Sequence, residues 1–370
     1  MKLVINTAHQ RFGGAIQVAL SFINECVSIT ENEYHIWVGQ GLKKLIVKKD
    51  FPDNFYFYDF DFGVIDFKAI SLIQKKLSKL EDEINPEVIM STSGPSYFHS
   101  KAPQIIGYNL PLYIYPESPF VQDLSLKAKI KLSLKKKAHF YYFKRDAVAY
   151  VTQTNDVRDR VKQALKTENV YTVTNTARSY YKGWKTFSNK LPEKKPGVYR
   201  FITVSSFYKH KNLEIIPAIL QELQALGKSN VEFVLTLKNT DFRNHIGEHP
   251  NIINVGPVSP QECPSLYNEC DALFLPTLAE CFSASYPEAM IMSKPIITTN
   301  LGFAKSICND AALYFEPKNA KSAAREIKKL IGDKELQKRL QDRGKDQLKT
   351  FDSSKERAEK YLHLCNKYNK

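Results

Sequence analysis

The stretch from Phe274 to Met290 carries more structural information than any other part of this chain; it reads Phe-Leu-Pro-Thr-Leu-Ala-Glu-Cys-Phe-Ser-Ala-Ser-Tyr-Pro-Glu-Ala-Met. An apolar strand is predicted to end near Leu275, a loop carries Glu280, and a helix is predicted from about Ser285. The free N–H groups of a helix start attract anions such as phosphate, and the carboxylates of Glu280 and Glu288 can accept hydrogen bonds from hydroxyls. The stretch therefore predicts one strand–loop–helix unit of an open α/β sheet, with a ligand site at its edge.

The same alternation of short apolar runs and longer amphipathic stretches continues on both sides of this segment. It predicts two consecutive doubly wound parallel-sheet domains, residues 1–183 and 199–350, joined by a linker at 184–198 that contains Pro192 and Pro196. In the first domain, Gly13-Gly14 opens a helix directly after the strand Lys2–Asn6. Two such sheets facing each other would form a cleft in which two substrates can meet.

Composition excludes several classes of protein. Hydrophobic residues make up 43% of the 370-residue chain, which is enough for two cores, and no apolar run approaches the ~18 residues of a membrane span. The six cysteines form no C-x-x-C pair, so reduced thiols and a cytoplasmic location are expected. Asp59-Phe60-Asp61 lies in an aromatic run that predicts a strand, and we expect no metal site there.

The chain is strongly basic, with 53 Lys and Arg against 39 Asp and Glu and a net charge of +14. Part of the excess lies in the stretch Lys127–Arg145, where lysines are interleaved with Leu, Ile, Phe and Tyr. Such a surface suits contact with an anionic membrane face, and a solvated basic surface is the alternative. Residues 124–134 alternate with period two, which argues against a clean amphipathic helix. No nucleic-acid-binding motif is present, and we expect no nucleic acid partner.

The spacing of the two acids within Pro276-Thr277-x-x-Glu280-x-Phe282-x4-Pro287-Glu288-Ala289-Met290 resembles the E-x7-E signature of retaining family 4 glycosyltransferases, the glycosyl transferases group 1. Further landmarks follow in the family's order: Gly13-Gly14-Ala15, Val173-Thr174-Asn175, Lys209-His210-Lys211-Asn212-Leu213 and Asn254-Val255-Gly256-Pro257-Val258-Ser259. The resemblance is specific over most of residues 200–348 and looser in the first half.

This resemblance implies a GT-B fold, with two Rossmann-like domains and a sugar nucleotide held mainly by the second. It implies catalytic roles for Glu280, which would contact the donor sugar, and for Lys211, which would neutralise the diphosphate; Glu288 would contact the ribose. The other implied donor-binding residues are Ser206, Lys209, Phe282, Ser283, Ala284, Val258, Gly13 and Gly14. The C-terminal helix, residues 351–370, would pack back on the first domain. Neither a metal nor another cofactor is expected.

The sequence departs from the family pattern at three places. Ser205-Ser206 stands where the family usually has Gly-Arg, so one of two diphosphate cations is missing, and Lys209 or His210 are the available substitutes. Cys281 and Ser283 replace glycines beside Phe282. Asn109 stands where many members carry a histidine near the donor sugar and is the acceptor-side candidate, with His99 and His139 as further histidines.

The expected activity is transfer of a sugar from a nucleotide-diphosphate sugar to a glycan or lipid-linked acceptor, in the cytoplasm or at the inner face of the membrane. Local sequence leaves the simpler interpretation that Glu288 caps its own helix, since Ser285-x-x-Glu288 matches a capping box. A nucleotide-sugar epimerase or a phosphorylase could share the fold, although nothing marks a pyridoxal-phosphate lysine. The other alternative is a non-catalytic basic scaffold on membrane or nucleic acid.

Overall fold

The computed structural model describes residues 1–11, 13–175, 181, 183–184 and 191–369, with the side chain of Phe67 left out. Residues 185–190 of the predicted linker lie outside the described residues. The chain divides into two compact units. Unit 1 comprises Met1–Ile114, Leu124–Asn175 and Asp352–Lys370, and unit 2 comprises Tyr115–Asp123 and Thr176–Phe351.

Unit 1 is built on a parallel sheet. Its strands are β1 (Lys2–Asn6), β2 (Glu33–Val38), β3 (Phe55–Asp59), β4 (Val88–Ser91), β5 (Gln104–Gly107), β6 (Ala149–Thr152) and β7 (Val170–Thr172). They lie in the order β3-β2-β1-β4-β5-β6-β7 within the described residues, and every pairing is parallel. The order in which the chain adds strands reverses between β1 and β4, which makes the carboxyl ends of these two strands the expected ligand edge.

Helices cover this sheet and bury its apolar strands. They are α1 (Gly14–Cys26), α2 (Phe67–Ile84), α4 (Leu126–Asp146), α5 (Asn155–Leu165) and α13 (Ser354–Tyr368), with α3 (Pro119–Gln122) belonging to unit 2. The core on one face joins strands β1 and β2 to the buried side of α13, which includes Tyr361, Leu362 and Cys365. The Arg357 guanidinium, 3% exposed, ties α13 to unit 1 by donating to Asn175 and Ser21, each at 2.6 Å.

Unit 2 repeats the design with a second parallel sheet. Its strands are β8 (Tyr199–Thr203), β9 (Val231–Leu235), β10 (Ile252–Asn254), β11 (Ala272–Leu275), β12 (Ile296–Thr299) and β13 (Ala312–Phe315), in the order β10-β9-β8-β11-β12-β13 among the described residues. The helices are α6 (Ile216–Ala225), α7 (Asn239–His245), α8 (Cys263–Glu269), α9 (Ser285–Ile291), α10 (Gly302–Cys308), α11 (Ala320–Gly332) and α12 (Lys334–Leu348). The predicted doubly wound α/β class is confirmed in both units.

Several local expectations require correction. Residues 126–146 form one continuous helix, α4, which the period-two alternation of residues 124–134 did not indicate. Its inward face carries buried Phe143 and its outward face exposed aliphatic side chains, so the two faces together blur the helical period. After β8 the chain forms short 3-10 turns and becomes α-helical only at Ile216, because Asn212 adopts a left-handed conformation with φ 56°. Tyr115–Asp123 belongs to unit 2, which nothing in the sequence indicated.

Candidate functional site

The candidate site in unit 2 lies at the reversal point of its sheet, where the order in which the chain adds strands changes direction between β8 and β11. Strands β8 and β11 are neighbours there, and each continues from its carboxyl end into a loop that carries a predicted residue. The loop after β8 carries Lys211 and the loop after β11 carries Glu280. Open parallel sheets bind ligands outside this reversal point, because the two loops diverge and leave a crevice between them.

Lys211 and Glu280, the two predicted catalytic residues, form an ion pair between these loops. The two side chains are only 14% and 13% exposed, so the pair is largely removed from solvent. The Thr277 hydroxyl adds a long hydrogen bond, 3.4 Å, to the same Glu280 oxygen. Removing one member of such a pair leaves an uncompensated, mostly buried charge, which typically costs about 3–5 kcal/mol.

Hydrogen bonds hold the Glu280 loop against its surroundings on both sides. The backbone N–H of Leu278 donates to the carbonyl oxygen of His210 at 2.7 Å, and the Ser118 hydroxyl donates to the carbonyl oxygen of Leu278 at 2.7 Å. The Thr299 hydroxyl donates to the carbonyl oxygen of Thr277, also at 2.7 Å. Ser118, Thr277 and Thr299 are all buried, so the loop is positioned by bonds that water does not weaken.

His210 lies beside the ion pair and is flanked by aromatic rings. Its imidazole stacks on Tyr208 with ring centroids 5.5 Å apart and meets Phe120 edge-on at 6.0 Å. Burial lowers the pKa of His210, the Glu280 carboxylate opposes this effect and Lys211 adds to it. His210 is therefore favoured as a neutral, hydrogen-bonding group rather than as a replacement for the missing diphosphate cation.

Glu288 lies in the first turn of α9 and contacts a buried tyrosine. The Tyr267 hydroxyl donates to a Glu288 carboxylate oxygen at 3.4 Å, and burial followed by the Glu288 charge raises the pKa of Tyr267 well above its usual value. Among the described residues no side chain caps α9, whose N-cap is Ala284. Ser285 is therefore not the N-cap of α9, and the capping-box interpretation of Ser285 and Glu288 is wrong.

The remaining predicted donor-binding residues of unit 2 line the same carboxyl edge or the loops that lead from it. Ser206 and Lys209 are exposed in the loop after β8. Phe282, which meets Phe351 edge-on at 5.9 Å, is half-buried beside buried Ser283. Val258 follows the turn at Gly256, where φ is 76°.

The three predicted residues of unit 1 lie at the carboxyl edge of its own sheet. Gly13 is the N-cap of α1 with φ 93°, and a Cβ added at Gly13 or Gly14 would meet no atom within 4 Å. The Asn109 side chain donates to the Ser93 hydroxyl at 2.8 Å, which joins the loop after β5 to the loop after β4. Each of the three is thus placed where an open sheet binds ligands.

The two other candidate histidines, His139 and His99, lie beside residues of their own unit. The ring nitrogens of His139 lie 3.2 Å from the Tyr97 hydroxyl and 3.1 Å from the Tyr113 hydroxyl. His99 is mostly exposed, with Nδ1 3.9 Å from Asp146.

In the part of the chain that the structure describes, no group of three or more His, Cys, Asp or Glu side chains could hold a metal ion, and no helix is long and apolar enough to cross a bilayer.

Sequence reasoning missed Ser118, which contacts the Glu280 loop, and Tyr267, which contacts Glu288. Ser118 precedes Pro119 and is the N-cap of α3, a local pattern that the sequence does carry. Its contact with Leu278, 160 positions away, leaves no local signal. Tyr267 reads as an ordinary core residue of α8, since its ring is fully buried.

Comparisons with known proteins bear on the family and the fold of the chain. Residues 185–347 match the family model described as glycosyl transferases group 1. An uncharacterized glycosyltransferase of Methanocaldococcus jannaschii is 27% identical over 216 residues, 57% of this chain and 58% of the relative, so the match spans less than two thirds of the relative's length. The Anabaena protein Alr3699/HepE, solved in complex with UDP-glucose, is 14% identical with a TM-score of 0.72, covering 98% of this chain and 100% of that one.

WaaG, a glycosyltransferase involved in lipopolysaccharide biosynthesis, is 14% identical with a TM-score of 0.69 over 99% of both chains. At these identities the solved structures establish the fold, which is GT-B with two Rossmann-like units. The resemblance seen in the Glu280–Glu288 segment is confirmed by the family match, whose range contains that segment. Over residues 185–347, the chain is thus similar to the glycosyl transferases group 1 family.

Proposed function

We propose that this protein is a retaining glycosyltransferase that moves a sugar from a nucleotide-diphosphate donor to a glycan or lipid-linked acceptor, in biosynthesis of a polysaccharide or lipopolysaccharide type. The observation that carries the proposal is the Lys211–Glu280 ion pair at the reversal point of the second sheet. The pair brings one cation together with one carboxylate that can accept hydrogen bonds from hydroxyls. Both lie at the edge where a sheet of this kind binds ligands.

The two charges suit the two halves of a sugar diphosphate. Breaking the bond between the anomeric carbon and the diphosphate oxygen builds negative charge on the leaving group, which the Lys211 ammonium would stabilise. The Glu280 carboxylate would accept hydrogen bonds from donor sugar hydroxyls, and Glu288 would do the same for the ribose. Exposed Ser206 and Lys209, in the same loop as Lys211, would add contacts to the diphosphate without a metal.

We propose front-face transfer for the chemical step. The acceptor oxygen forms its bond to the anomeric carbon on the face from which the diphosphate leaves, and its proton passes to a leaving phosphate oxygen. This route needs no protein nucleophile and keeps the anomeric configuration. Glu280 is held by Lys211 and Thr277, which favours a positioning and electrostatic role for its carboxylate over nucleophilic attack.

The test is product analysis with a panel of sugar nucleotides, with and without glycan and lipid-linked acceptors. The proposal predicts acceptor-dependent release of the nucleoside diphosphate and a product whose anomeric configuration, read by NMR, equals that of the donor. An inverted product or a trapped glycosyl-enzyme adduct would overturn the proposed route. A new sugar nucleotide formed without acceptor would indicate an epimerase, and absence of any sugar-nucleotide binding would favour a non-catalytic scaffold.

A further inference from the structure

Helix α4 of unit 1 carries a row of aliphatic side chains on its outer face. Leu126, Ile130 and Leu134 are spaced four residues apart and are 76%, 53% and 62% exposed. Tyr141, 61% exposed, continues the row two turns further. Residues four or seven apart lie on one side of a helix, so these four side chains form a single apolar stripe. A surface helix normally carries polar groups at such exposed positions.

The opposite face of α4 is the one that packs on its own unit. Phe143 is fully buried and contacts Tyr108 and Tyr150, and His139 lies between Tyr97 and Tyr113. The helix therefore has its core-facing side already occupied. The outer stripe is a second apolar surface that is not needed to attach α4 to unit 1.

Basic side chains surround the stripe. Lysines flank it along the helix and continue to its C-terminal end, at positions Lys127, Lys129, Lys131, Lys135, Lys136, Lys137 and Lys144. The one acidic residue of α4 is Asp146, whose side chain is 0% exposed and pairs with Arg145 at 2.5 Å. The exposed surface of this helix thus carries positive charge and apolar groups without a negative charge on the helix itself.

A shallow groove of about 390 Å³ lies beside the stripe, lined by Ser133, Lys136, Lys137, Phe140, Tyr141 and Lys144. The Lys136 ammonium lies 5.2 Å from the centre of the Phe140 ring, so one lysine is held over the groove wall. The groove thus offers one hydroxyl and three ammonium groups beside aromatic walls. These groups can donate hydrogen bonds to the oxygens of a phosphate ester.

We infer that this surface, the α4 stripe with its lysines, docks unit 1 on a bilayer rich in anionic phospholipids. Leu126, Ile130 and Leu134 enter the boundary between head groups and acyl chains, and the lysines lie over the phosphates. This inference goes beyond the proposed transfer reaction and does not depend on it, since membrane contact is measured without any sugar nucleotide.

The same surface fits two other partners less well. Single-stranded nucleic acid is held by stacking on aromatic rings, whereas the stripe is formed mainly by aliphatic side chains. A second copy of the chain would bring identical rows of lysines face to face across a two-fold axis, and like charges repel there. An anionic bilayer complements both the charge and the apolar row.

The test is co-sedimentation of the full-length protein with vesicles of phosphatidylcholine alone or mixed with phosphatidylglycerol, at low and high salt. We expect binding to the mixed vesicles only, weakened by salt. The triple variant Lys127→Gln/Lys131→Gln/Lys135→Gln should lower the vesicle partition coefficient by about fivefold per lysine, about a hundredfold in all. The double variant Ile130→Asn/Leu134→Asn should abolish binding at high salt.

Matched controls come from the same unit. Lys68, Lys75 and Lys79 are exposed on α2, and Val64 is 75% exposed, so Lys68→Gln/Lys75→Gln/Lys79→Gln and Val64→Asn should leave vesicle binding unchanged. All altered side chains are exposed, and unchanged thermal unfolding verifies that each variant folds. Equal binding of wild type and the α4 variants to mixed vesicles would overturn the inference. So would binding of RNA in place of vesicles, or a dimer that the α4 variants dissociate.

Discussion

Lys211 and Glu280 pair their charges across the reversal point of the second sheet, 69 positions apart in sequence. Each side chain supplies the opposite charge that offsets part of the cost of burying the other. A sugar diphosphate would exchange this contact for two new ones, with phosphate oxygens on the ammonium and sugar hydroxyls on the carboxylate. The pair is thus a preorganised polar site whose members act as a unit.

Neutralising either member should remove catalysis. Glu280→Gln and Lys211→Met are each expected to lower kcat by about 10²–10³-fold, because each removes a charge aimed at the reacting sugar diphosphate. The double variant should lose less than the product of the two effects, since the residues are in contact. Steady-state kinetics measures all three. Glu214→Gln, at an exposed position close in sequence, is the control, and a Glu280→Gln enzyme with normal kcat would refute the assignment.

Ser118 should act on catalysis through the position of the Glu280 loop. Ser118→Ala removes the 2.7 Å bond to the Leu278 carbonyl oxygen, which is expected to cost about 1 kcal/mol of unfolding free energy and to lower kcat by about tenfold. Ser100→Ala is a matched control because the Ser100 hydroxyl donates to the Ala102 carbonyl oxygen at the same 2.7 Å within unit 1. The control should lose stability and keep kcat. Equal kcat values in both variants would show that Ser118 is structural only.

Tyr267 should affect donor binding through Glu288. Tyr267→Phe removes the hydroxyl that donates to the Glu288 carboxylate, and we expect the donor KM to rise about fivefold with kcat unchanged. Glu288→Ala should raise KM further. Tyr286→Phe is the control, since the Tyr286 hydroxyl lies 2.8 Å from the Thr298 hydroxyl in the core. An unchanged KM in Tyr267→Phe would separate this tyrosine from the site.

The stability of the protein should fall as the solution becomes moderately acidic. Burial, with a contribution from Lys135, lowers the pKa of His139 to about 4, below the value of about 6.5 in an unfolded chain. Between these values the unfolded chain binds more protons, so the unfolding free energy decreases as the pH falls from about 6.5 to about 4 and is independent of this group below that range. Burial lowers the pKa of His9 to about 4 as well, which acts in the same direction.

Urea unfolding at a series of pH values measures this dependence. His139→Gln should reduce its slope because the variant removes one of the titrating groups. His363→Gln, at an exposed position of α13, should leave the slope unchanged. A slope that is the same in wild type and His139→Gln would contradict the assignment of His139 as a half-buried neutral histidine.

The sequence predicted those parts of the structure that local pattern determines. Strand β11 ends at the predicted Leu275, and α9 begins at the predicted Ser285, because an apolar run and a helix start are short-range features. The Glu280 and Lys211 assignments came from motif spacing, and the structure brings these two residues together. Helix α4 was missed because its two apolar faces and its lysines produce no single helical period. The role of Ser118 was missed because pairing between positions so far apart has no local signature.

Calorimetric binding of a panel of sugar nucleotides to wild type and Lys211→Met tests the central claim most directly. We predict that one donor binds to the wild type and that Lys211→Met weakens this binding at least tenfold, because the ammonium that faces the diphosphate is gone. Lys328→Met, at an exposed position of α11 in the same unit, should bind the donor as the wild type does. Equal donor affinity in Lys211→Met and wild type would contradict the assignment of this ion pair as the sugar-diphosphate site.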